Sequence, residues 1–431
     1  MRTDPAEIGG VQRPMYNRTI LDNGIRVVSE EIGHVRSVSI GVWVECGSRN
    51  EDLKTNGIAH FIEHMLFKGT EGRSAFDIVS AIDSVGGVMN AATGKELTSF
   101  YVKILDYHLA LAIDLLADIC KNSLFDVGEI AKETAVVLQE IDMLEDSPDD
   151  YIHDFFEAAF WDGHPLGRPV LGAKETVSRF DREAILNFFH AKYRADKVVL
   201  TAAGNLKHDV LVDLVRRAFG SLTEGIVKDE TGVPVVSSKE AVLEKDLEQV
   251  HMIIGTLAPS ASSSKRYPCS LLNAILGGSM SSRLFQEIRE KRGLAYAVHS
   301  YIIPYTDVGM LGIYVGVSEE RVSDVIGLVL KTLKGLCRDL LTEKELYAAK
   351  ELIKGNFLLS MESTDNRMMK LARDEIYLKR YVHPEEVLTH IDAIAVEDVR
   401  ALSCEMFSPD TISLAAIGRV SERAVRLDSY L

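Results

Sequence analysis

The stretch HFIEHMLF, residues 60–67, carries two histidines four apart with a glutamate between them. On an α-helix, residues four apart stand one above the other on the same face, so His60 and His64 can aim two imidazoles at one ion. Zinc accepts histidine nitrogens in a tetrahedral site. Glu63 sits one step from His64, placed to act as a general base on a water rather than to bind a metal itself. The order His-x-x-Glu-His inverts the common metalloprotease helix motif. The bland alternative is a helix that merely carries polar residues. Its neighbours Ile58, Phe61, Ile62, Met65, Leu66 and Phe67 are apolar, which makes it largely buried. Burial of two His and a Glu is costly unless they are paired or metal-bound.

A hydrolytic zinc needs a third protein ligand and an open position. The periodicity predicts a long helix over residues 127–144, whose central acids are Glu133, Glu140 and Asp142. Glu133 and Glu140 are two turns apart and share a face. The alternative is an ordinary solvated acidic stripe, and spacing alone does not choose between them.

The elements that must position these residues form a repeated series. Strands are expected at residues 18–30, as two short runs around Asp22-Asn23-Gly24, and at 37–45, 98–105 and 197–203. Helices are expected at 57–68, 76–85, 107–120, 127–144 and 182–193. The second half repeats this order, with strands at 250–256, 309–316 and 411–418 and helices at 267–276, 282–292, 320–336, 343–360 and 396–406. A repeat of roughly 200 residues implies two similar domains in tandem. The division expected is 1–225, a linker over 226–240 with Gly and Pro, and 241–431. The expected fold class is α+β, with two homologous α/β domains, each a mixed, largely antiparallel sheet with helices on one face.

Composition narrows the function. The chain has 431 residues, 46% of them apolar, and a formal charge of −16. Such a charge repels phosphate backbones, so nucleic-acid binding is excluded, and it suits basic ligands such as cationic peptides. Five scattered cysteines, none in a C-x-x-C pair, argue against a disulfide framework and for a reducing compartment. The N-terminus lacks an apolar stretch of signal type, and no run of 18 uncharged apolar residues exists, so no membrane span and a cytoplasmic location are expected.

HFIEHMLFKGT followed by ETAVVLQEI resembles the pitrilysin (inverzincin) family of zinc peptidases, most of all its short branch. That branch includes bacterial processing-type peptidases and the beta subunit of mitochondrial processing peptidase. The family's ligand Glu lies about 76 residues after the second His, and Glu140 is 76 after His64. The resemblance implies one zinc per chain held by His60, His64 and Glu140, with Glu63 as general base and Glu133 supporting the site one heptad earlier. It implies that GGVMNAATGKELTSFYVKIL holds the strand that pairs with a peptide substrate, through Asn90, Ala91, Ala92 and Thr93. In the second half, LGGS at residues 276–279 resembles a family glycine-rich loop, and Arg289 and Tyr296 match its Arg and Tyr near the substrate. Longer members close four such domains over the peptide. A two-domain chain would then need a partner: a homodimer, or a heterodimer with an inactive sibling. The function implied is a zinc-dependent endopeptidase cutting peptides or unfolded, presequence-like segments inside a dimeric chamber. The rivals are a non-catalytic scaffold or substrate-binding subunit of a processing complex, and a zinc hydrolase of another class such as an amidase.

Overall fold

A computed structural model describes residues 15–225, 232–339, 341–421 and 425–427. The N-terminal residues 1–14 and the start of the expected linker, 226–231, lie outside the described residues. The chain divides into two compact units. The first takes the described residues of Met1–Val137, Val170–Asp229 and Ser360–Tyr381, and the second those of Leu138–Pro169, Glu230–Leu359 and Val382–Leu431. The expected boundary near residues 226–240 is thus one of several crossings, because each unit also draws a segment from the other half of the sequence.

The first unit is built on a six-stranded sheet. Its strands are β1 (Met15–Ile20), β2 (Arg26–Glu31), β3 (Ser37–Val44), β4 (Val88–Thr93), β5 (Thr98–Leu105) and β6 (Val198–Gly204). Their order is β1-β2-β6-β3-β5-β4, with β2 and β6 parallel and the other pairs antiparallel. Gly24 turns the β1–β2 hairpin with φ 87°, a conformation that favours glycine. The central strands β3 and β6 are buried almost end to end, as a sheet covered on both faces requires. One face carries helix Leu109–Asn122, which packs on β3 and β5. The other carries helix Thr364–Arg373, some 160 residues downstream of β6 in sequence. Met368 and Leu371 of that helix join Val28, Trp43 and Val199 in one apolar cluster. Thr201 fixes it: its hydroxyl accepts from Trp43 Nε1 at 2.8 Å and donates to the Met368 carbonyl at 3.1 Å.

The second unit repeats the plan with β7 (Glu240–Glu244), β8 (Val250–Ala258), β9 (Ala295–Pro304), β10 (Gly309–Val317) and β11 (Ser413–Gly418). The order β7-β11-β8-β10-β9 matches β2-β6-β3-β5-β4 strand for strand, including the single parallel pair. Helices Arg266–Leu276, Val322–Arg338 and Val396–Met406 cover one face with Leu272, Val325, Val329 and Leu402. Helix Pro148–Phe160 covers the other through Ile152, Phe156 and Phe160. Its sequence explains its start: Pro148 opens the helix where an N–H would have no partner, and Asp149 and Asp150 face the positive end of its dipole. The α+β class and the tandem mixed sheets agree with the sequence reading. The single helix on the opposite face of each sheet is what that reading did not contain.

Candidate metal centre

Helix Ile58–Leu66 carries the HFIEH run, and its entry is tightly determined. Gly57 begins it at φ 95°. The buried carboxylate of Glu51 accepts from the backbone N–H of Gly57 and of Ala59, both at 2.8 Å. An anion there satisfies two of the N–H groups that a helix start leaves open and complements the helix dipole. Phe61, Ile62, Met65 and Leu66 bury the opposite side. His60, Glu63 and His64 are left on the half-buried face.

The two imidazoles lie with ring centroids 4.6 Å apart. One ligand atom each from His60, His64 and Glu140 lie within 4.8 Å of one another. The unit boundary falls inside helix Val127–Glu145, after Val137. Glu140 lies three residues past that boundary, on the same helix as Glu133. Two imidazole nitrogens and a carboxylate oxygen make the donor set of a three-ligand hydrolytic zinc. Tetrahedral zinc separates such atoms by about 3.4 Å at bond lengths near 2.0–2.1 Å, within the 4.8 Å that bounds these three. Burial, and then the neighbouring His64, push the His60 imidazole down to about 4. It is therefore neutral near pH 7, with a lone pair to donate.

Glu133 takes a different position from Glu140. Its Oε2 lies 3.0 Å from His64 Nδ1, and its Oε1 lies 2.5 Å from Lys68 Nζ. A carboxylate acceptor at Nδ1 places the proton there and leaves Nε2 of His64 as the donor atom. Lys68 escaped the sequence reading, although four residues after His64 is one helical turn and was a legible signal. Thr93 closes the other side. Its hydroxyl donates a short hydrogen bond to Glu63 Oε2. The expected substrate-strand residue thus touches the expected base.

The remaining expected residues fall as follows. Asn90, Ala91, Ala92 and Thr93 lie on β4, the edge strand of the first sheet, with side chains alternating in exposure. An edge strand presents backbone N–H and C=O groups on its outer side. Arg289 and Tyr296 lie in the second unit, near the start of its edge strand β9. The Arg289 guanidinium stands 4.9 Å from the centroid of the Tyr296 ring, and Tyr296 is 78% exposed. The structure brings these two together and places them in the other unit from His60 and His64. Among the described residues, His60, His64 and Glu140 form the one group of three or more such side chains close enough to share an ion. No helix among them is long and apolar enough to cross a membrane.

Residues 26–174 match the family model described as insulinase (peptidase family M16). Residues 179–353 match the one described as the peptidase M16 inactive domain. An uncharacterized zinc protease of Bacillus subtilis, YmxG, is 40% identical over 396 residues, covering 92% of this chain and 97% of its own. One from Mycobacterium tuberculosis is 40% identical over 412 residues, covering 94% of each. The crystal structure of a protease from Helicobacter pylori shares the fold with a TM-score of 0.87 at 22% identity, over 94% of this chain and 99% of that one.

Proposed function

Because the chain belongs to the M16 peptidase family, we propose that it is a zinc-dependent endopeptidase whose metal is held by His60, His64 and Glu140. The observation that carries this reading is the convergence of those three donors beside Glu63. When bound, a zinc ion there supplies Lewis acidity, acidifying a water towards neutrality and polarising a carbonyl. Glu63 takes the proton of the attacking water and returns it to the leaving amine. Thr93 holds one Glu63 oxygen and so orients the carboxylate. Glu133, engaged by Lys68, holds His64 in the tautomer that offers Nε2. The outer edge of β4 accepts an extended peptide as an added strand through residues 90–93. Tyr296 donates its hydroxyl to the oxyanion and Arg289 holds a substrate carbonyl or carboxylate, each supplied from the second unit of a partner chain. The charge of −16 favours basic, unfolded or presequence-like peptides.

The scaffold reading finds its one support in the inactive-domain description, which covers residues 179–353. That region has no His-x-x-Glu-His, whereas residues 26–174 contain the whole donor set. The deciding experiment is Glu63→Gln. Zinc content stays at one per chain, and cleavage of a diverse fluorogenic peptide library disappears. Cleavage undiminished in the variant, or absent from the zinc-loaded wild type, overturns the proposal.

A further inference from the structure

Three of the five cysteines, Cys46, Cys120 and Cys269, are buried, and burial raises the thiols of Cys120 and Cys269 to about 12. They behave as small core residues. Cys337 and Cys404 differ. Cys337 lies in the last turn of helix Val322–Arg338, and Cys404 in the last turn of helix Val396–Met406, which packs beside it in the second unit. The Cys404 thiol donates to the Cys337 carbonyl oxygen at 3.2 Å. Cys404 is exposed and Cys337 half-buried.

Both border a cavity of about 330 Å³. Leu333, Phe407 and Ile412 line it as apolar wall, and Arg338 contributes a cation. A cleft with an apolar wall, a guanidinium and an accessible thiol suits a small thiol compound bearing carboxylates.

We propose that Cys337 and Cys404 are a reversible dithiol–disulfide pair, oxidised by a low-molecular-weight disulfide that enters this cavity. Cys404, the accessible sulfur, loses its proton to solvent and attacks one sulfur of the small disulfide. The S–S bond breaks, and the departing thiolate takes up a proton. Cys337 then loses its proton and attacks the Cys404 sulfur of the mixed disulfide. The second small thiolate leaves and is protonated. Two protein thiols are oxidised by two electrons, and one small disulfide is reduced to two thiols.

The order of attack follows from the surroundings. Burial, then the adjacent Cys404, raises the Cys337 thiol to about 12, with Arg338 opposing. Such a thiol is a poor first nucleophile. The Cys404 thiol, 3.2 Å from the Cys337 carbonyl oxygen, lies close enough to supply the high effective concentration that an intramolecular second step requires. The product ties two helices of one core and closes a loop between positions 67 apart. Closing a loop of that length restricts the unfolded chain.

The test treats the full zinc-loaded chain with oxidised glutathione, then alkylates under denaturing, non-reducing conditions and weighs the intact protein. Two alkylatable thiols are lost with no added glutathione mass, digestion yields a peptide linking Cys337 to Cys404, and dithiothreitol reverses both. The oxidised form melts several degrees higher. Cys337→Ser accumulates one glutathione at Cys404, and Cys404→Ser accumulates none at Cys337. A stable glutathione adduct on the wild type, or five thiols still alkylated under conditions that oxidise a control dithiol, overturns the proposal. The wild-type measurement decides the matter even if a serine variant fails to fold.

Discussion

Lys68 lies outside the proposed donor set and reaches it through Glu133. Its ammonium engages one oxygen of Glu133, whose other oxygen meets His64 Nδ1. Lys68→Met frees Glu133 to turn away and His64 to adopt its other tautomer. Zinc affinity is expected to fall about 10-fold, the lower end of losses seen when partners of metal ligands are removed. Competition with a chromophoric chelator measures it, and Lys68→Arg restores most of the loss. Equal affinity in Lys68→Met would separate Lys68 from the site. Thr93 acts on the proposed base, Glu63, instead. Thr93→Ala is expected to lower kcat about 10-fold while zinc content and KM stay unchanged, since general-base catalysis as a whole contributes about 10²–10⁴. Thr93→Ser recovers kcat, whereas a rise in KM alone would return Thr93 to a purely substrate-binding role. At this scale spacing alone was informative about type, and the family resemblance, not the spacing, implied the division of labour. The seven-residue spacing of Glu133 and Glu140 puts both on one face, and in the structure Glu133 meets His64 Nδ1 while a Glu140 oxygen lies within 4.8 Å of ligand atoms of both histidines.

Elements were legible where burial leaves a pattern. Strands β3, β6, β8, β10 and β11 are buried nearly throughout and read as largely uncharged, apolar-rich runs, so the repeat emerged from them. Edge strands β4 and β9 carry no such run and were not assigned as matching elements. The exchanged helices were missed because their partners lie in the other half of the sequence. The polar stretch TDNRMMKLAR has no local reason to be a core helix. Helix Pro148–Phe160 also brings a titratable cluster onto its sheet. His153 Nδ1 lies 2.9 Å from the Tyr301 hydroxyl, His251 Nδ1 lies 2.9 Å from that of Tyr314, and the His299 ring lies 5.1 Å from Tyr314. Burial lowers all three histidines below 6.5. The other His of the pair His153–His299 adds to the effect at His153, while Asp149 opposes it at His153 and His251, and Asp150 at His153. Tyr301 and Tyr314 are raised by burial, with Glu157 adding at Tyr301 and Asp149 and Asp150 at Tyr314, so both stay protonated across this range. The sign follows from linkage. Above pH 6.5 both folded and unfolded histidines are neutral and the cluster costs nothing. As pH falls below 6.5 the unfolded chain takes up protons first, so stability declines towards the lowered folded values. Melting temperature is expected to drop by several degrees between pH 7.5 and 5.5, with a shallower drop in the double variant His153→Gln, His299→Gln. Identical slopes in variant and wild type would assign the acid sensitivity to other groups.

At the scale of the whole molecule, the described residues hold one set of zinc-ligand candidates, whose His60 and His64 belong to the first unit, and one Arg289–Tyr296 pair, which belongs to the second. If each pair serves the metal of a second copy, two defects on different chains must complement. Glu63→Gln leaves Tyr296 intact, and Tyr296→Phe leaves Glu63 intact, so each homodimer is deficient at both sites. Mixed after dissociation and reassociation, about half the dimers contain one chain of each kind, as random pairing in a two-fold assembly dictates. In each mixed dimer the metal site with an intact Glu63 faces the partner's intact Tyr296, while the other site carries both defects. Activity should therefore return to about a quarter of wild type, one working site in four. Pairing within a single chain predicts no gain over the two variants measured apart. The same mixture reports on assembly, because a chain that remains monomeric in light scattering while cleaving peptides has no partner to supply Tyr296. Raising salt provides a separate control: it screens the attraction of the −16 chain for basic peptides and raises KM. The fraction of activity regained on mixing depends on pairing statistics instead, and is expected to hold constant across the salt series.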